Sequence, residues 1–130
     1  MEVGTLVWDC VRGSELANAV PTMYWHHHPD NPKGEFIIIW PLTNAVGDSQ
    51  IAYVNVNVYV PDKAHKINGI DNQRVPDVSR LKELSKIAFT SLKNFPISER
   101  WFFMVGEEVV LSEDEIPYSF ISYQVKLKKY

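Results

Sequence analysis

Cysteine is almost absent: Cys10 is the only one, so no disulfide closes within the chain and no thiolate zinc cluster forms from it alone. A reducing compartment suits such a chain best. No apolar run is longer than Phe36–Trp40, far short of the ~20 residues of a membrane-spanning helix. The opening Met-Glu-Val-Gly-Thr-Leu carries no basic segment ahead of an apolar one, so neither a membrane span nor an export signal is expected. The six glycines form no phosphate-cradling loop, and no serine sits in a glycine-flanked elbow. Positive charge is scarce as well. Thirteen Lys and Arg against 16 Asp and Glu leave a net charge of −3, which excludes a broad electrostatic grip on nucleic acid.

What is present organises itself around Gln50–Asp62. From Tyr53 to Val60 the residues alternate, so an extended chain places Val54, Val56, Val58 and Val60 on one face and Tyr53, Asn55, Asn57 and Tyr59 on the other. The β-branched valines suit a buried, pleated surface, whereas two asparagine amides are costly to bury without partners. This predicts the central strand of a sheet covered on one face and open on the other, ended by Pro61 and the turn residue Asp62. At 130 residues, of which 45% are hydrophobic, the chain supports one ordered core, hence a single domain over 1–130.

Upstream, Val3, Leu6, Val7, Cys10 and Val11 recur at helical spacing and Gly13 stands where that helix stops. Ser14 is placed to cap a further turn that Pro21 closes. Residues 22–28 read as a strand, and Pro29–Gly34 is a cluster of turn formers, so a hairpin into the next strand, 35–42, is expected. That second strand is nearly continuous in apolar residues, which points to burial on both faces or to a second chain covering one of them. With 50–60 it completes an antiparallel meander. Lys63–Val75 lacks periodicity and reads as an exposed excursion, the segment best suited to being ordered by a partner. Pro76 and Asp77 then start a helix whose apolar stripe is Val78, Leu81, Leu84, Ala88, Leu92 and Phe95. Arg100–Val105 is strand-like, Glu107–Glu115 a charged connection, and Tyr118–Leu127 a strand with Ser119, Ile121, Tyr123, Val125 and Leu127 facing inward. The order is helix, three strands, helix, two strands. It predicts a two-layer α+β domain, a mainly antiparallel sheet of about five strands with helices on one face.

Chemistry is sparse. In His26-His27-His28, neighbours on a strand point to opposite faces, so at most His26 and His28 share a metal, with Asp30 and His65 as distant candidates to complete it. A polar strand end before a turn is the expected reading, with no metal and no cofactor. Cys10 lies on the apolar side of its helix, where burial keeps a thiol inert. The acidic run Glu107, Glu108, Glu113, Asp114 and Glu115 matches no calcium loop and is expected to be a solvated tip. What remains is surface: Tyr53, Asn55, Asn57 and Tyr59 form an aromatic, amide-rich face of the composition found in interface cores, and these residues are the expected contact site.

The layout resembles the tail terminator or tail completion proteins of long-tailed bacteriophages. The residues that carry the resemblance are Tyr24-Trp25 before a Pro/Asn turn, Phe36-Ile37-Ile38-Ile39, Pro41-Leu42-Thr43-Asn44 and Ala52–Asp62. It implies a non-enzymatic virion subunit, made in the host cytoplasm, that forms a hexameric ring, caps the tail tube and docks on the head connector. DNA would pass through the ring without specific binding. Three other readings remain open at this point: another neck or adaptor component, a small metal- or histidine-dependent enzyme, and a host binding module acting as a monomer or dimer.

Overall fold

The computed structural model describes residues 3–42, 51–67, 70–93, 101–105, 109–113 and 115–129. The fold is α+β. Helix α1 (Val3–Arg12) ends where the Gly13 N–H donates to the Asp9 carbonyl, and α2 (Glu15–Ala19) follows at once. Ser14 occupies the N-cap of α2, but its hydroxyl donates back to the Val11 carbonyl at 2.7 Å and makes no side-chain cap bond. The expected serine cap is therefore present in position and not in bonding. Next come β1 (Met23–Trp25), β2 (Phe36–Pro41), β3 (Ile51–Pro61), β4 (Lys63–Ile67), β5 (Ile70–Val75), α3 (Val78–Lys93), β6 (Trp101–Val105), β7 (Val109–Ser112) and β8 (Tyr118–Lys129).

The main sheet runs β1-β2-β3-β8-β6, and β7 pairs with β8 as well. Strand β3 is central as expected, and it lies against β8 over its full length, from Ile51 opposite Lys128 to Pro61 opposite Tyr118. Strands β6 and β7 share the other edge of β8: Val105 pairs with Val125 and Val109 with Ser122, so the register shifts by one residue between them. The segment read as a charged connection, 107–115, thus contains a strand.

Two further expectations are corrected. The first strand is three residues long and pairs in parallel with β2, Met23 opposite Ile37, so no hairpin joins them. The reason is local: His26 takes a left-handed backbone, φ 62°, just beyond β1, which breaks the extended run at a residue type that tolerates this region better than most. The chain then loops through 26–35, with Gly34 also left-handed at φ 69°, and enters β2 in the same direction. The excursion 63–75 is itself a separate two-stranded antiparallel sheet, β4–β5.

Alternation sorts the main sheet's side chains as predicted. Val54, Val56, Val58, Val60, Ile37, Ile39, Ile121, Tyr123, Val125 and Leu127 pack with Val7 and Val11 of α1, Leu16 of α2 and Leu81, Leu84, Ala88 and Leu92 of α3. Fully burying each valine, isoleucine or leucine contributes about 1.5–3 kcal/mol, so this face sets the fold. All three helices pack on it. Val78 is exposed and does not join the stripe, and Phe95 lies outside the described residues. Asp77 caps α3, accepting the Arg80 N–H at 3.2 Å. Trp8 of α1 stacks on Trp25 of β1 with ring centroids 4.5 Å apart, and the Tyr123 hydroxyl donates to the Ser85 carbonyl of α3. Among the described residues no helix is long and apolar enough to cross a membrane.

Candidate functional site

The helix-free face of the sheet is graded from one end to the other. Cross-strand register places Phe36, Tyr59 and Phe120 in one row, Ile38, Asn57 and Ser122 in the next, and Trp40, Asn55 and Gln124 in the third, followed by Tyr53 beside Lys126. In the first row the three rings stack, Phe36 on Tyr59 at 4.6 Å and Tyr59 on Phe120 at 4.5 Å between centroids. Tyr118 and Ile116 complete a second, smaller core there, with Tyr24 against its edge.

This end is roofed by two loops. The Tyr118 hydroxyl lies 3.1 and 3.0 Å from the Pro32 and Gly34 carbonyls and shares its proton between them, which ties 26–35 to the start of β8. The Tyr59 hydroxyl donates to Glu113 at 3.3 Å, which ties the segment after β7 to β3. Burial, then the neighbouring Glu113 carboxylate, raise the Tyr59 phenol well above its ordinary range, so it stays a neutral donor. On the outer side of the first loop, Arg80 grips Glu35 with two bonds, Nε–Oε2 at 2.6 Å and Nη2–Oε1 at 2.8 Å, fixing α3 to the entrance of β2.

The four expected contact residues are therefore divided. Tyr53 is 37% exposed and Asn55 half-buried, whereas Asn57 and Tyr59 are only 6% and 5% exposed. The uniformly open face is corrected: the loops bury its Tyr59 end, and the open end gains Trp40, 47% exposed, and Gln124, neither of which was in the expected set. A signal for this existed in the sequence, since Phe120 falls on the polar side of its strand, with Ser122, Gln124 and Lys126, and Phe36 on the outer side of an apolar strand, and neither ring belongs there unless covered. The apolar continuity of β2 left two alternatives, burial on both faces or a second chain over one of them; Phe36, Ile37, Ile38 and Ile39 are all buried within the chain, on the helix-free side under its own loops.

The histidine run departs furthest from expectation. Because β1 has ended and His26 is left-handed, His27 and His28 do not alternate; their rings lie 4.5 Å apart between centroids. The carboxylate beside them is Glu115 rather than Asp30, its Oε2 3.6 Å from His28 Nε2 and 4.0 Å from His27 Nε2. His28 is buried beside Phe36 and Tyr59, while His27 and Glu115 are exposed. Asp30 joins no such cluster among the described residues, and the His65 side chain is outside them. The acidic run is not merely a solvated tip, since Glu113 and Glu115 both engage the roof; Glu107, Glu108 and Asp114 lie outside the described residues.

Against known proteins, the chain matches no family model and no curated sequence. The chemistry of the site is thus read from its own atoms. Cys10 lines a groove of about 850 Å³ between α1–α2 and α3, together with Ser14, Asn18, Lys86 and Thr90. Burial, reinforced by the Asp9 charge, raises its thiol pKa, so it is a poor nucleophile, as expected from its helix position.

Proposed function

We propose that the chain is a non-enzymatic, ring-forming structural subunit of a bacteriophage virion, a tail terminator or completion protein that caps the tail tube and meets the head connector. The observation that carries this reading is the open end of the helix-free face, where Trp40, Asn55, Gln124 and Tyr53 adjoin on a rigid three-strand platform. Rigid aromatic and amide groups on a sheet lose little conformational entropy on docking, and their composition is that of an interface core rather than of a catalytic pocket. The three described helices lie on the other face, and among the described residues this surface is exposed and suits a head-to-tail contact, the geometry from which rings close. A net charge of −3 per subunit, repeated around a ring, favours passage of DNA over adhesion to it.

The test is electron microscopy of the chain produced together with a tail-tube protein of the same virion. The expected result is tubes of uniform length ending in a six-fold ring that disappears when this chain is omitted. Tubes of unregulated length with no terminal density from this chain would overturn the reading.

A further inference from the structure

We propose that His27, His28 and Glu115 bind one divalent transition-metal cation of the zinc class, which staples the 115–117 turn to the 26–35 loop over the aromatic end of the sheet. This goes beyond the virion reading and does not depend on it. The ring nitrogens that face away from the cluster set the tautomers. His27 Nδ1 lies 2.7 Å from the His28 carbonyl oxygen, and His28 Nδ1 lies 2.7 Å from the Pro29 carbonyl oxygen. A carbonyl only accepts, so each Nδ1 carries the proton, and in the neutral ring each Nε2 presents a bare lone pair. This is the outer bonding that fixes tautomer and orientation in metal-ligating histidines.

Both bare nitrogens and a carboxylate oxygen then converge, all within 4.8 Å of one another. Three lone-pair atoms facing one point repel unless positive charge lies between them. The separations of 3.6 and 4.0 Å to Glu115 Oε2 exceed the ~2.7–3.2 Å of an N–H···O bond, so a proton does not bridge them well. They suit a metal ion: bonds of about 2.0–2.1 Å place two ligand atoms roughly 3.3 Å apart at the tetrahedral angle and about 4.1 Å apart at most. Binding draws the exposed His27 ring inward about its 2.7 Å Nδ1 contact with the His28 carbonyl, while His28 is held by packing against Phe36 and Tyr59. Two imidazoles with one carboxylate select zinc and its neighbours over magnesium or calcium, which take oxygen. With His27 and Glu115 at the surface, a fourth position is left to water or to a side chain of another molecule.

The experiment uses the full chain without a histidine tag, titrated with Zn²⁺ in competition with a chromophoric chelator. One equivalent should bind, and removing a direct ligand should weaken binding at least as much as removing an outer one, about 10–100-fold. Glu115→Gln and His27→Ala are exposed changes and each should show that loss; His28→Ala should show it too, and His26→Asn, which removes the imidazole and tolerates the left-handed backbone, should show none. Mg²⁺ should not compete. Zn²⁺ should also raise the melting temperature of the native chain and not of Glu115→Gln. Absence of Zn²⁺ binding, a loss in His26→Asn equal to that in His27→Ala, or full competition by Mg²⁺ would each overturn the proposal.

Discussion

Asn57 concentrates the tension in this chain at the scale of a single residue. It sits between Ile38 and Ser122 in the middle row of the helix-free face, 6% exposed, with an Oδ1 that has no hydrogen-bond partner among the described residues. A buried acceptor left unmet costs about 1–3 kcal/mol, and asparagine is also a poor strand former. Replacing it with a β-branched apolar residue removes both penalties. Asn57→Val should therefore stabilise the isolated chain by about 1 kcal/mol, read as a higher urea midpoint with an unchanged slope. A lower midpoint would show that the amide is bonded and supports the native state. The sequence revealed that the asparagine faces away from the valines, since period-two alternation fixes that much. It did not reveal burial, because the cover comes from loops fifteen or more residues away in the chain, and alternation says nothing about what lies above a face.

At the scale of elements, what was legible depended on whether an element packs on the core. Strands β3 and β8 and helix α3 showed their periods clearly because one side of each is buried against a common layer. The β4–β5 hairpin was missed for the opposite reason: Asp71-Asn72-Gln73-Arg74 carries polar residues at consecutive positions, so its strands show no alternation to read. The direction of β1 and the meeting of His27 and His28 with Glu115 were hidden by one backbone angle at His26, to which side-chain patterns are blind. Where sequence signals and structure agree, the energetics are open to test. The start of α3 was legible from Pro76 and Asp77, and Asp77 Oδ1 accepts the Arg80 N–H while lying 3.4 Å from Lys63 Nζ. The cap should matter more than the ion pair, since Lys63 is mostly exposed and surface pairs contribute at most about 1 kcal/mol. Asp77→Ala should cost about 1 kcal/mol in urea unfolding, and Asp77→Asn, which caps without charge, should retain most of it. Equal losses in the two variants would assign the effect to the charge instead.

For the whole molecule, the two faces of the sheet divide the work. The helix side holds the hydrophobic core, and the helix-free side is sealed at its Tyr59 end by two loops, so among the described residues of that face its far end is the exposed part. If assembly uses that end, charge placed there should separate folding from association. Trp40 and Tyr53 are 47% and 37% exposed, and neither belongs to either core cluster. Substitutions at such positions usually change stability by no more than about 0.5 kcal/mol. The double variant Trp40→Glu, Tyr53→Glu should therefore unfold at nearly the wild-type urea midpoint yet fail to form rings on the tube, because burying two carboxylates without partners costs more than a docking contact supplies. Phe89 is the matched control: it is also large and exposed, but it lies on α3 with Lys93 over its ring, on the other side of the molecule. Phe89→Glu should leave assembly unchanged. Loss of rings in Phe89→Glu, with assembly intact in the double variant, would move the contact surface to the helical layer, and the open sheet end would then need another partner.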